Sequence, residues 1–254
     1  MIRLPYREPF NFNALLDFLA ARAIPSVEQV AGGEYSRSMN IMDTPGRISI
    51  TDGEGELACR IVADSPLPLI DIAEKMKRLF DFNALPNEIS DGLCRDADLA
   101  PLVGWSPGLR LPGAWDSFET AVRAIVGKQI SVTAATTVMG KIAQRFGAES
   151  PYGLLFPDPI QLSVLREDQL PMPKCRATAV RDLARAVHSG EVDFDSEPDD
   201  VRRSLLEIKG IGPWTAQYIS MRALDDPDAF PETDLVVLKA AQTQLCRLLG
   251  PWNC

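Results

Sequence analysis

The chain changes texture once. Through about residue 83, short runs alternate apolar and polar positions, and Ile2–Tyr6, Tyr35–Met42, Arg47–Asp52 and Leu57–Ala63 each read as strands. Asp43-Thr-Pro-Gly46 and Asp52-Gly-Glu-Gly55, lying between them, have the composition of hairpin turns. Phe12–Ala21 and Leu69–Phe80 read instead as helices. From Ala84 the texture becomes helical, with candidates at Pro86–Leu93, Ala114–Val126, Val132–Phe146, Asp158–Val164, Arg176–Val187, Asp199–Leu206, Pro213–Ala223 and Leu235–Leu249. Phe118, Val122 and Ile125 recur at i, i+4 and i+7, which is core-facing spacing. The pattern predicts an α+β protein: a mixed α/β domain with an antiparallel sheet over residues 1–83, then an all-α domain over residues 84–254.

One stretch departs from plain amphipathic patterning. Leu205-Leu-Glu-Ile-Lys-Gly-Ile-Gly-Pro-Trp-Thr-Ala-Gln-Tyr218 places two helical segments around a Lys-Gly-Ile-Gly turn. Gly210 and Gly212 allow positive φ and a close backbone approach to a ligand. The second segment starts at that bend, so its unpaired N–H groups and the positive end of its dipole face outward, where an anion such as phosphate binds. An ordinary αα-hairpin has the same turn composition, so Gly-x-Gly alone does not decide between them. Trp214 and Tyr218 lie four apart and share one helix face. By spacing they are equally core anchors or a platform for a flat ligand. Asp234 follows a Pro-containing loop and precedes the apolar run Leu235-Val-Val-Leu238, the position of a helix cap. A capping carboxylate is also held in place and kept ionised by the helix dipole. Asp225, Asp226, Asp228 and Glu232 read as solvated loop charges, and His188 as a cation near a helix C-terminus.

Composition narrows the partners. The 254-residue chain has no apolar run of membrane-spanning length and no signal-peptide pattern, so the expectation is a soluble, cytoplasmic protein. Five scattered cysteines suit reduced thiols, and without any CxxC pair a zinc or iron–sulfur site is not expected. A net charge of −9 argues against coating nucleic acid by bulk electrostatics. Arg202, Arg203, Lys209 and Arg222 gather around the hairpin, and Arg123, Lys128, Lys141 and Arg145 mark the helices 118–146. A small neutralised footprint with modest salt dependence is therefore expected.

The hairpin followed by Asp234 resembles the helix-hairpin-helix motif of DNA glycosylases. Phe18-Leu-Ala-Ala-Arg-Ala-Ile-Pro-Ser-Val-Glu28, Gly108-Leu-Arg-Leu-Pro-Gly113 and Phe118–Val132 are similar to blocks of the DNA-3-methyladenine glycosylase II (AlkA) family, and the likeness runs from about Leu4 to Ala241. The resemblance implies bacterial base excision repair of alkylated double-stranded DNA by a monomeric, nucleoid-associated enzyme that needs no cofactor. It implies Asp234 as the catalytic residue, Trp214 and Tyr218 as base-pocket aromatics, and Gln129 as the wedge filling the gap left by a flipped base. Lys128, Ile130, Lys209, Gly210, Gly212 and Thr215 would contact DNA beside them. A monovalent ion bound by the backbone carbonyls of Leu206, Ile208 and Ile211 would bridge to phosphate and take no part in chemistry. Bifunctional relatives carry a lysine at the position of Trp214. Tryptophan forms no Schiff base, so the resemblance implies a monofunctional enzyme that leaves the backbone intact.

The chemistry agrees with so sparse a site. An N-alkylated purine already carries positive charge and leaves as a neutral base, so one anion that stabilises the developing sugar cation and positions water is enough. Aromatic faces attract such a base by about 2 kcal/mol when desolvated. The likeness fades after Lys239-Ala-Ala241, and the chain closes on Leu248-Leu-Gly-Pro-Trp-Asn-Cys254. The expectation is that the family's two C-terminal helices are missing through truncation or a changed reading frame. Trp252 is not equated with the pocket aromatic that one of those helices supplies. The alternative reading is accordingly a damaged-DNA-binding protein impaired in catalysis.

Overall fold

The computed structural model describes residues 1–240. A five-stranded antiparallel sheet in the order β1-β5-β4-β3-β2 comprises β1 (Ile2–Pro5), β2 (Glu28–Ala31), β3 (Glu34–Ile41), β4 (Thr44–Gly53) and β5 (Glu56–Ala63). Helices α1 (Phe12–Ala20) and α2 (Leu69–Leu79) cover it. Their apolar stripes, Phe12, Leu15, Leu16 and Leu19 from α1 and Ile72, Met76 and Leu79 from α2, pack on Tyr35, Met39, Ile48, Ile50 and Leu57 of the sheet. Strand β2 and its Gly32-Gly33 turn, both glycines at positive φ, were not expected from the sequence. The β3–β4 turn is also displaced from the expected Asp43–Gly46. Met42 and Asp43 take the left-handed conformation, and Pro45 and Gly46 already pair with Asn40 and Met39. Gly46 is needed for closeness, since a Cβ there would stand 2.8 Å from the Val62 carbonyl oxygen of the neighbouring strand.

The helical part comprises α3 (Pro86–Leu93), α4 (Ala100–Trp105), α5 (Ser117–Gly127), α6 (Val132–Phe146), α7 (Pro159–Ser163), α8 (Lys174–Ser189), α9 (Pro198–Glu207) and α10 (Pro213–Ala223). A two-stranded ribbon, β6 (Glu149–Ser150) and β7 (Gly153–Leu154), follows α6. Its core is built from α5, α6, α8, α9 and α10, with Val122, Met139, Ile142, Leu183, Leu205 and Ile219 fully enclosed. Ile24 and Val27, which follow α1, insert into this helical core, while Trp115 joins the core under the sheet. The two cores thus exchange anchors.

A buried charge network lies where they meet. Arg37 of β3 donates to Glu119 of α5 at 2.8 Å and sits 3.6 Å from Glu28, which also accepts from the Tyr35 hydroxyl at 2.6 Å. Arg123 of α5 donates to the Arg22 carbonyl at 2.6 Å, and Thr136 of α6 donates to the Ala21 carbonyl at 3.3 Å. These bonds pin the end of α1 against α5 and α6. That end carries Phe18 and Arg22 toward α10.

Candidate active site

Helices α9 and α10 form the hairpin. Helix α9 stops at Glu207, Ile211 N–H closes back onto the Ile208 carbonyl at 3.0 Å, and α10 begins at Pro213, just after Gly212. Gly210 holds φ +102°, and a Cβ there would meet the Ala179 Cβ of α8 at 3.0 Å. Here glycine is required twice, by conformation and by space. Gly212, expected to share the left-handed role, instead has φ −103° and ψ 176°, and a Cβ on it would point into open space. Its bareness leaves the start of α10 uncovered. No side chain caps that helix, and Pro213 at its first position needs no acceptor. The N–H groups of Trp214 and Thr215 follow in the first turn, where a helix supplies no acceptor of its own. The Thr215 side chain is buried, so a contact with DNA at this residue can come only from its amide. Lys209 is exposed at the turn.

Three of the four basic residues expected around this hairpin are paired or buried in the structure, and Arg123 of α5 is engaged as well. Arg202 pairs with Asp199 and with Asp226 at 3.3 Å and donates to Gln217 at 3.3 Å, and Arg203 pairs with Asp200. Arg222 is buried, and Arg123 is taken up by the Arg22 carbonyl and by Glu28 at 4.0 Å. Asp226, read from sequence as a solvated loop charge, is also buried. Through Arg202 it ties the loop after α10 back to α9. His188 sits in the last turn of α8, as expected.

That loop brings Asp234 back to α10. Asp234 opens a helix over residues 235–240, and its Oδ1 accepts the Val236 and Val237 N–H groups at 2.8 and 3.2 Å. Its Oδ2 accepts the indole N–H of Trp214 at 3.1 Å. Trp214 stacks on Tyr218, with centroids 5.3 Å apart and planes 20° from parallel. A base inserted between two rings needs them about 7 Å apart, twice the closest carbon contact. The pair is therefore already closed, and offers a flat ligand its outer faces and edges. Both rings remain partly exposed, and Tyr218 also packs on the helical core.

Sequence reasoning missed the residues beneath Tyr218. Arg22 and Arg222 place their guanidinium carbons 3.7 and 4.4 Å from the Phe18 ring centroid. Burial lowers the pKa of Arg22, and the adjacent Tyr218 acts in the opposite direction. Burial also pushes Arg222 down to about 10, with Arg22 and Arg123 adding to the shift. The only sequence signal was the i, i+4 spacing of Phe18, near the end of α1, and Arg22, just past it, which carries no hint of a site some 200 residues away in sequence (Arg22 to Arg222). The aromatic pair thus has cations at its Tyr218 end and a carboxylate at its Trp214 end.

The expected wedge lies in the turn between α5 and α6. Gln129 is exposed there at φ +58°, flanked by Lys128, which ends α5, and by Ile130, which packs partly against the helical core. A left-handed non-glycine residue costs roughly 1–2 kcal/mol, and such strain gathers at functional positions. Ile130 serves as an anchor for that turn. The carbonyl of Ile208 accepts the Ile211 N–H and keeps one lone pair, and that of Leu206 lies in the last turn of α9, where a helix supplies no donor of its own. Cys246, Trp252 and the remainder of the segment from residue 241 onward lie outside the described residues.

Together these elements define a helix-hairpin-helix glycosylase fold. Solved structures share it: a 3-methyladenine DNA-glycosylase from Archaeoglobus fulgidus superposes with TM-score 0.83 at 20% identity, over 96% of this chain and 86% of that one. An 8-oxoguanine glycosylase/lyase from Clostridium acetobutylicum gives TM-score 0.70 at 18% identity, over 96% and 82%. The profile of the AlkA N-terminal domain matches residues 1–116. The DNA-3-methyladenine glycosylase 2 of Escherichia coli is 33% identical over 93% of this chain and 86% of its own length, and the chain belongs to that family. A probable bifunctional transcriptional activator/DNA repair enzyme AlkA of Mycobacterium tuberculosis is 36% identical over 95% of this chain. The chain spans about half the length of that relative, 50%.

Proposed function

We propose that this chain is a monofunctional DNA glycosylase that releases alkylated purines such as 3-methyladenine from duplex DNA and leaves an abasic site. The observation that carries the reading is Asp234: a carboxylate fixed at a helix start and turned toward Trp214, next to an uncapped hairpin helix. Cleaving the N-glycosidic bond builds positive charge on the sugar, and a preorganised carboxylate lowers that barrier most effectively in a dry cleft. The charge gradient of the aromatic pair fits this direction, with the cationic sugar at the Trp214 end and the departing base stacked outside. Backbone N–H groups of Trp214 and Thr215, with Lys209, would grip a phosphate, and Gln129 would fill the vacated stack. A monovalent cation on the carbonyls of Leu206, Ile208 and Ile211 would add positive charge facing the same phosphate.

The test compares the chain with Asp234→Asn for release of 3-methyladenine and 7-methylguanine from methylated duplex DNA. The expected result is release by the first, a loss on the order of 10²–10³-fold in the second, and no strand cleavage by either. Equal binding of both to abasic-site DNA, with no base released by either, would favour a damage-binding protein.

A further inference from the structure

We propose that Trp214 is the positioning residue for Asp234: its indole N–H selects which lone pair of the carboxylate faces the reacting sugar. The inference rests on the catalytic reading of Asp234 and assigns Trp214 a role separate from lining a base pocket. A carboxylate has about four acceptor positions. In Asp234 the two on Oδ1 are filled by the Val236 and Val237 N–H groups at 2.8 and 3.2 Å, and one on Oδ2 by the Trp214 indole at 3.1 Å. One lone pair on Oδ2 is left unclaimed by these donors. The backbone donors fix where the carboxylate sits. Alone, they leave it free to swing Oδ2 about the cap.

The indole limits that freedom because its ring is itself held on one face. Its ring lies against Tyr218 at 5.3 Å and 20°, and Tyr218 is packed on the helical core. Helix α10, which carries both, buries Thr215, Ala216, Ile219 and Ala223 on its inner side. The direction of the N–H is therefore inherited from the core, and the carboxylate inherits it in turn. A tryptophan suits this position better than a phenylalanine because it combines the stacking face with a single, rigidly directed donor. Misplacing a reacting group by about 1 Å costs as much as 10²-fold in rate, so this second contact matters to the chemistry.

The experiment uses Trp214→Phe, which keeps a ring against Tyr218 and deletes the donor, and Asp234→Asn. Single-turnover release of 3-methyladenine from methylated duplex DNA and the Kd for duplex DNA containing a tetrahydrofuran abasic analogue are measured for each. Trp214→Phe is expected to slow release by about 10- to 100-fold while Kd stays within about twofold. An unchanged rate overturns the proposal, as does a loss expressed mainly as a weaker Kd, which would mark Trp214 as a stacking surface only. Wild-type rate in Asp234→Asn would instead sink the catalytic reading itself. A second measurement reads the contact without activity: solvent exchange of the indole N–H by NMR, assigned with Trp214→Phe. The Trp214 signal should be protected relative to that of Trp105, which is 82% exposed, and should lose protection in Asp234→Ala. Exchange as fast as that of Trp105 in the unmodified chain would also overturn the proposal.

Discussion

Arg37 Nη2 donates to Glu119 Oε2 at 2.8 Å, joining β3 of the sheet to α5, the helix that leads into the Gln129 turn. Both side chains are almost fully enclosed, and Glu28 and the Trp115 ring surround the guanidinium. Burial raises the pKa of the Glu119 carboxyl, the Arg37 charge opposes that rise, and the nearby Glu28 and Asp116 carboxylates add to it. Removing one partner strands a charge in the interior, which costs about 3–5 kcal/mol. Arg37→Ala should therefore unfold at markedly lower urea concentration, while Arg37→Met combined with Glu119→Leu should recover much of the loss. A single variant as stable as wild type would show that water reaches the pair.

The two hairpin glycines should separate stability from binding. Gly210→Ala must hold a positive φ of 102° and push against the Ala179 Cβ at 3.0 Å, so a loss of roughly 1–3 kcal/mol is expected. Gly212→Ala meets neither obstacle, since its φ is −103° and the space around it is open. It should fold with near-wild-type Tm yet bind duplex DNA more weakly, because the new methyl group stands over the uncapped start of α10. Thermal melts and fluorescence anisotropy on the same two variants check this. Equal DNA affinity in Gly212→Ala and wild type would remove the hairpin from the interface.

Much of this was legible in the residues, and the failures have physical causes. Val132–Phe146, Pro213–Ala223 and Pro86–Leu93 are helices at the expected bounds because each pairs a start signal, Ser131, Pro213 or Pro86, with helical periodicity. The β3–β4 turn slipped because Pro45-Gly46 reads locally as a turn, whereas pairing of Gly46 with Ala63 on β5 draws it into the strand. Helix α4 went unseen because Pro101 and Gly104 within six residues hide its period. At the site, the shared face of Trp214 and Tyr218 follows from spacing alone. The bond from Trp214 to Asp234 depends on the path of a loop that Asp226 and Arg202 hold, and no local rule reports that. The same holds for Arg22 and Phe18, brought in by the packing of the end of α1 against α5 and α6.

Cysteine reactivity offers a check on the sheet core. Cys59 on β5 is fully buried, and burial pushes its thiol up to about 11, whereas Cys94 and Cys175 are exposed. At pH 8, three units below that value, roughly one Cys59 in a thousand would be thiolate. Because the native pKa is raised, the thiolate fraction should keep climbing tenfold per pH unit toward 11. Iodoacetamide at pH 8 followed by peptide mapping should label Cys94 and Cys175 quickly and Cys59 only after urea is added. Early labelling of Cys59 in the native protein would mean that the edge of the sheet opens locally.

Gln129 tests whether strain at the α5–α6 turn serves DNA opening. Its φ of +58° costs roughly 1–2 kcal/mol in a residue with a Cβ, and glycine would relieve that. Glycine also loosens the unfolded chain, returning about 0.4–1 kcal/mol of the gain. Gln129→Gly should therefore be as stable as wild type or more so, by at most about 1.6 kcal/mol. Function should move the other way. Without a side chain to stand in the stack, a flipped nucleotide falls back, so 2-aminopurine placed beside an abasic analogue should brighten less than with wild type. Gln129→Ala adds a control, since it keeps the strained backbone but lacks the wedge. It should be no more stable than wild type and open DNA as poorly as the glycine variant. Full brightening with both variants would transfer the wedge from Gln129 to another residue of the turn.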